Sequence, residues 1–142
     1  MKNFIQIASF LLLLTACSKE LKPITIQTSE GNVIYYVEIA DTKEKQTRGL
    51  MYRTHLKIDS GMIFVFGNTH PQPIAMWMKN TYIPLDMLFL DESKTIIGIA
   101  QNTEPLNLKI IQPTTKPSTY VIELNAGEVK KHNIKLGDKV LY

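Results

Sequence analysis

Side chains that could bind a ligand are concentrated in one short stretch of this chain. Trp77, Lys79 and Asn80 lie within four residues, and Asp86 follows shortly after a proline. Tryptophan offers a flat apolar surface and lysine a positive charge, while asparagine and aspartate can orient a polar ligand through hydrogen bonds. Together with Arg53, these residues are predicted to form a pocket for a small polar or anionic ligand.

The same side chains also have a purely structural interpretation. Asp86 lies in register with Leu88 on the apolar face of a predicted strand, where a carboxylate needs a partner because its desolvation is costly. Proline ends strand pairing, so backbone groups around Pro84 need other partners. Asn80, Thr81 and Asp86 could satisfy those groups, and the sequence does not decide between the two interpretations.

An enzyme is the first alternative to a binding protein. Lys79 and Thr81 share a face of the predicted strand, and a desolvated lysine can act as a base, so with Asp86 they could serve a hydrolase or transferase. Asp86 and Glu123 could form a carboxylate pair for sugar hydrolysis, although nothing in the sequence places them together. The chain contains no G-x-S-x-G or Walker sequence.

Copper(I) binding is the second alternative. Met76, Met78 and His70 flank Trp77 and offer the soft thioether and imidazole ligands that copper(I) prefers. Methionine at strand spacing is more often core filler, and the histidines lack the spacing of metal-binding motifs. The sequence therefore predicts neither a metal site nor a cofactor.

The N-terminus predicts export and a lipid anchor. Lys2 precedes a short apolar run that ends in Leu14-Thr15-Ala16-Cys17, and Cys17 is the only cysteine of the chain. This arrangement resembles a bacterial lipoprotein signal, in which the cysteine is acylated and becomes the new N-terminus. We expect a signal peptide over residues 1–16 and a tether over residues 17–23. By the same resemblance, Ser18 permits transfer to the periplasmic face of the outer membrane of a Gram-negative cell.

Length and charge limit what the rest of the chain can be. Removing 16 of the 142 residues leaves 126, which fits the single domain that we predict over residues 24–142. The formal net charge of +3 falls to +2 when Lys2 leaves with the signal. Because so small a surplus offers no clustered basic face, we expect no nucleic-acid partner.

The hydrophobic pattern indicates which elements must hold the candidate residues. A helix is predicted over residues 42–52, with Asp41 as its N-cap and Glu44 completing a capping-box pattern. Short apolar or alternating runs between turn residues predict strands over residues 24–29, 33–40, 62–66, 74–80, 85–90, 95–100 and 120–124, with a last strand after Gly137-Asp138. Residues 102–118 read mainly as an extended excursion, in which 108–111 could form a short edge strand.

These elements predict a mainly β (α+β) domain. We expect a compact, mostly antiparallel sheet or a partly closed β-barrel, with one or two short helices.

Several sequence blocks resemble a known family. The blocks are Gly49-Leu50-Met51-Tyr52-Arg53, Gly61-Met62-Ile63-Phe64-Val65-Phe66, Trp77-Met78-Lys79-Asn80-Thr81, Ile83-Pro84-Leu85-Asp86, Glu123-Leu124, Ala126-Gly127 and Lys135-Leu136-Gly137-Asp138. They are similar to domain of unknown function 192 (DUF192), found in bacteria and archaea. Two features depart from the family: Met76 stands where an aromatic residue is usual, and the excursion over 102–118 is long.

The resemblance implies a small secreted or lipid-anchored β-rich domain, and it implies no activity. Combined with the residues themselves, it leads us to predict non-enzymatic binding near Trp77 to Asp86. The bound molecule would be a small polar ligand, a component of the cell envelope or a protein partner. The hydrolase or transferase and the copper(I) protein remain the alternatives.

Overall fold

The computed structural model describes residues 20–67 and 72–142 of the chain. The described residues form β1 (Lys22–Thr28), β2 (Gly31–Ala40), α1 (Lys43–Arg48), β3 (Ser60–Val65), β4 (Leu85–Leu90), β5 (Ile96–Thr103), β6 (Tyr120–Asn125), α2 (Glu128–Lys131) and β7 (Lys139–Leu141). The predicted signal peptide, Cys17 and His70 lie outside the described residues. Within the described part, no helix is long and apolar enough to cross a bilayer.

The strands form one curled sheet in the order β5-β4-β6-β3-β2-β1-β7. Only β2 and β3 pair in parallel, and the other neighbours are antiparallel. The curl brings the two edge strands towards each other, so that Thr95, just before β5, forms an isolated bridge with Lys139 of β7. The predicted mainly β class is therefore confirmed, in the form of a mostly antiparallel half-barrel.

Alternating side chains along each strand build two cores, one on each face of the sheet. The inner core fills the half-barrel and takes apolar residues from all seven strands, with Val129 of α2 among them. The outer core lies on the opposite face and includes Phe64, Met87 and Val121. We call these the inner and outer faces of the sheet. The outer face is the one that carries the candidate site.

Helix α1 covers part of the outer face. Thr42, and not the predicted Asp41, is its N-cap, since the Thr42 hydroxyl accepts a hydrogen bond from the backbone N–H of Lys45 at 3.3 Å. The helix ends at Gly49, whose φ of +47° is strained for other residues, so the predicted extension to residue 52 is wrong. A Cβ on Gly49 would lie 3.1 Å from Cζ of Phe64. The turn after α1 therefore rests directly on the outer core.

The strand predicted over residues 74–80 is wrong. This segment crosses the outer face in extended form, and its only assigned pairing is a bridge between Met76 and Ile111. Ile74 and Met78 are buried in the outer core, whereas Trp77 and Lys79 are exposed. The edge strand considered for residues 108–111 reduces to the same bridge. We call residues 74–81 the cover segment. Side-chain packing and isolated backbone hydrogen bonds hold it over the outer core.

Candidate functional site

A cleft of about 310 Å³ lies between α1 and the cover segment on the outer face. Residues of α1 and of the turn after it, between Lys43 and Met51, form one part of its lining, and the other part consists of Ala75, Met76, Trp77, Lys79 and Thr81. Phe64 and Glu123 contribute from the sheet beneath. The volume is at the lower end of the range typical of small-molecule sites, roughly 300–1,000 Å³.

Glu123 is the most unusual residue of this cleft. It lies on β6, and the register places it between Met62 of β3 and Met87 of β4. The residue is only 4 % exposed, and its Oε2 has no hydrogen-bond partner among the described residues. Burial raises the pKa of Glu123 to about 8, although the charge of Arg53 acts in the opposite direction. The carboxyl group of Glu123 at the base of the cleft is therefore mostly protonated near neutral pH.

Trp77 and Lys79 form the exposed wall of the cleft. The side chain of Trp77 is 44 % exposed, and Nζ of Lys79 lies 5.1 Å from the centroid of its ring. This cation–π contact limits the freedom of both side chains and keeps the positive charge beside the apolar surface. The structure thus places these two predicted residues together at the cleft.

Asn80 shapes the wall without lining the cleft. It is the third residue of a turn in which the N–H of Thr81 donates to the carbonyl oxygen of Met78, and its φ is +53°. Its side-chain amide donates to the hydroxyl of Tyr52 at 2.8 Å, and its carbonyl oxygen accepts the N–H of Tyr52 at 2.8 Å. Asn80 therefore ties the cover segment to the turn that follows α1.

Arg53 faces a different hollow. Its guanidinium forms a two-point ion pair with Glu38, in which one N–O distance is 2.7 Å, and both side chains are largely buried. This pair lines a wider hollow of about 560 Å³ that also contains His55 and Lys57. Because the two opposite charges satisfy each other, the guanidinium of Arg53 is already paired and is not free to bind an anionic ligand. Arg53 influences the cleft only through its charge near Glu123.

Asp86 lies on the inner face and is bound to the backbone. Its Oδ1 accepts the N–H of Asn102 at 2.8 Å, and its Oδ2 accepts those of Gly127 at 3.0 Å and Val129 at 2.9 Å. Its cross-strand neighbour on β6 is Leu124, so its side chain points away from the face that carries Glu123. The structure therefore does not bring Asp86 to Trp77 and Lys79, and it does not form the carboxylate pair with Glu123.

Several described residues of the two alternative functions are buried and already have partners. The hydroxyl of Thr81 is buried and donates to the carbonyl oxygen of Lys79 at 3.2 Å. Met78 is fully buried, and its sulfur accepts a hydrogen bond from the hydroxyl of Thr103 at 3.2 Å. Met76 is partly buried against the outer core. Among the described residues, no group of three His, Cys, Asp or Glu side chains is placed to hold a metal ion.

Although sequence reasoning considered Glu123 as a partner of Asp86, it did not place three charged residues in this cleft. Lys43 and Arg48 line it from α1, and Glu123 lies beneath. The two cations could not be assigned because the sequence does not show which face of a short helix meets the sheet. The sequence did contain an indication that Glu123 is unusual, since it is the only charged side chain among the apolar residues of β6. An isolated acid inside a buried strand is typical of a functional or paired group.

Comparison with known proteins gives a family and two similar structures. The family model DUF192 (Uncharacterized ACR, COG1430) matches residues 24–142. A protein of unknown function from Novosphingobium aromaticivorans is 35 % identical with a TM-score of 0.80, covering 86 % of this chain and 85 % of that one. A protein from Sinorhizobium meliloti, described as a candidate transcription regulator, is 41 % identical with a TM-score of 0.80, covering 85 % of this chain and 92 % of that one. No protein with a curated description matches the chain.

Proposed function

The chain belongs to the DUF192 family, and we propose that it is a non-enzymatic binding domain for a small polar ligand in the cleft beside Trp77. The observation that supports this proposal is the carboxyl group of Glu123 in the same cleft as Trp77 and Lys79, since its Oε2 has no hydrogen-bond partner within residues 20–67 and 72–142. A buried polar group without a partner is costly in a protein that gains nothing from it. A ligand that hydrogen-bonds Glu123 would remove this cost.

A hydrolase or transferase receives less support from the geometry. A Thr81 nucleophile would need its hydroxyl near a base in open space, but this hydroxyl is buried and donates to a backbone oxygen. Asp86, the third residue of that alternative, already accepts three backbone N–H groups on the opposite face. Binding requires only the residues that the cleft brings together.

A DNA-binding role is also not favoured, although one similar structure carries a transcription-regulator description. Recognition of the major groove usually uses a helix several turns long. The two helices in the described ranges have six and four residues. The formal charge of +3 gives little surplus for phosphate contacts.

The binding proposal can be tested through the fluorescence of Trp77, since this is the only tryptophan of the chain. Purified protein would be titrated with glucose, N-acetylglucosamine, succinate and inorganic phosphate while the emission of Trp77 is recorded. We expect at least one of these probes to shift the emission in a saturable way. Lys79→Met should weaken this response at least about tenfold, because it removes the charge beside the ring.

Lys130→Met is the matched control for this experiment. Lys130 lies on α2, whose apolar residue Val129 packs in the inner core, and the substitution changes the net charge equally. Its titration should match that of the unaltered protein. Equal responses of the Lys79→Met variant and the unaltered protein, or saturable binding that leaves Trp77 emission unchanged, would contradict a site at this cleft.

We also propose that the domain is held at a membrane through acylated Cys17, with the periplasmic face of the outer membrane as its location. The support is the sequence of the N-terminus: a lysine, a short apolar run and a cysteine after a small residue. Each buried CH₂ of an acyl chain contributes about 0.8 kcal/mol, so several chains give a stable anchor. Labelled palmitate should enter the full-length protein, whereas Cys17→Ser should abolish labelling and release the protein from membranes. A labelled Cys17→Ser variant would exclude this anchor.

A further inference from the structure

The charges around the cleft are strongly one-sided. Lys43, Arg48 and Lys79 line it, and among the residues that the structure describes Glu123 is the only acid that does so. None of the three cations forms an ion pair with a residue in the described ranges. Positive side chains that converge on one concave surface without partners favour the entry of a negatively charged molecule.

The buried acid adds a second requirement. Glu123 lines the cleft, its buried Oε2 has no hydrogen-bond partner among the described residues, and the apolar side chains of Met62 and Met87 flank it on neighbouring strands. When protonated, this carboxyl group can donate a hydrogen bond to an anionic oxygen. When ionised, it would repel the same oxygen at short range.

We propose, on the basis of the proposed binding function, that the ligand is a small anion, either a carboxylate or a phosphate. Its charge faces Lys43, Arg48 and Lys79, and one of its oxygens accepts a hydrogen bond from the carboxyl group of Glu123. The cleft volume of about 310 Å³ is large enough for a small organic anion. The exposed ring of Trp77 contacts the apolar part of such a molecule.

This arrangement couples binding to one proton. The charge that acts on Glu123 is that of Arg53, which is paired with Glu38 in the neighbouring hollow, while the three cations line the same cleft. Because burial raises its pKa, Glu123 is the acid whose charge changes between neutral and mildly alkaline pH. Since burial raises the pKa of Glu123 to about 8, binding should weaken about tenfold per pH unit above that value.

The test is a titration with succinate, whose charge is constant over this range, and with glucose as an uncharged probe. Binding would be measured by calorimetry and by Trp77 emission from about pH 7 to about pH 9, where succinate stays a dianion. We expect succinate to bind the unaltered protein and to lose affinity at the alkaline end, and glucose not to bind. Inorganic phosphate at the acidic end then distinguishes a phosphate site from a carboxylate site.

Glu123→Gln separates the hydrogen bond from the charge. Its amide keeps the shape and a donor but cannot ionise, so succinate binding should become independent of pH while Lys79→Met still weakens it at every pH. Circular dichroism would show whether the variant folds, and the pH series of the unaltered protein tests the same coupling without any substitution.

A saturable glucose response with no succinate response would overturn the anion class and leave the binding function standing. Anion binding that does not change with pH would overturn the contact with Glu123, and no response to any probe would overturn both proposals.

Discussion

Two carboxyl groups on neighbouring strands differ because of the face on which each one lies. Asp86 on β4 pairs with Leu124 on β6, and Glu123 is the residue directly before Leu124. The inner face offers Asp86 three backbone N–H donors, whereas the outer face places Glu123 between Met62 and Met87, where its Oε2 finds no donor in the described part of the chain. A step of one residue along a strand therefore separates a structural acid from a candidate binding group.

Glu123 should make the stability of the domain depend on pH. The pKa of a glutamate side chain is ordinarily 4.5, and burial raises that of Glu123 to about 8 in the folded chain. Between these two pH values the folded state therefore holds a proton that the unfolded state has released. The free energy of unfolding is therefore expected to fall as pH rises from about 4.5 to about 8, with a slope of at most about 1.4 kcal/mol per pH unit.

Urea unfolding at a series of pH values measures this slope. Glu123→Gln cannot ionise, so its stability should stay nearly constant over the same range and exceed that of the unaltered protein at the alkaline end. Parallel curves for the two proteins would show that Glu123 keeps an ordinary acidity in the folded chain.

At the scale of elements, Asp86 joins two irregular parts of the fold. Helix α2 spans only four residues, and its N-cap, Gly127, has no side chain to bind the free N–H groups. The pairing of β4 with β5 shifts between Leu85 and Met87, where Asn102 adopts a φ of +50°. Asp86 accepts N–H groups from both places, so one carboxyl group serves as the helix cap and as the partner of the bulge.

Removing this carboxyl group should be severe. Asp86→Ala leaves three backbone donors without their acceptor in a buried site, and we expect a loss of roughly 3 kcal/mol of unfolding free energy. Asp91→Ala is the control, because Asp91 accepts the N–H of Thr95 at 3.0 Å in a more exposed turn and should cost less than about 1 kcal/mol. Chemical unfolding measures both values, and hydrogen exchange should show early loss of protection at Val129 and Asn102. Similar losses for the two variants would show that burial of Asp86 adds little.

Local patterns predicted the regular strands and failed where an element depends on distant partners. The apolar runs over residues 33–40, 85–90 and 120–124 match β2, β4 and β6 closely. The segment over residues 74–80 has a similar pattern, but its partners are isolated groups such as Ile111 and Asn107. Its alternation buries Met78 and exposes Trp77 without a continuous ladder. A period of two indicates which side chains are buried, but it does not establish a paired strand.

At the scale of the whole molecule, strand order decides which residues meet. The fold class could be predicted from many short strands and turns, yet the sequence contained no sign that β6 lies between β3 and β4. That position brings Glu123 beneath a cleft whose wall comes from residues more than forty positions earlier, Trp77 and Lys79. Long-range pairing is specified by packing of the complete chain, so the wall of the site was predictable and its base was not.

The half-barrel closes through a narrow seam between its two edges, and this seam should be the first part of the sheet to open. It consists of backbone hydrogen bonds from Ile96 to Asp138 at 2.9 Å, from Gly137 to Ile96 at 2.9 Å and from Val140 to Lys94 at 3.0 Å. Ile122, in contrast, lies on β6, which is paired on both sides. Native-state hydrogen exchange should give one common opening free energy for the three seam amides, well below that of Ile122.

Two substitutions on β7 test whether inner-core packing holds this seam together. Val140 is 3 % exposed in the inner core, and Val140→Ala should lower the opening free energy of the seam amides by roughly 2 kcal/mol. Leu141 is 53 % exposed on the same strand, so Leu141→Ala should change it by less than about 0.5 kcal/mol. If the seam amides of the unaltered protein exchange as slowly as Ile122, the edges open only with global unfolding, and the molecule behaves as a fully closed barrel.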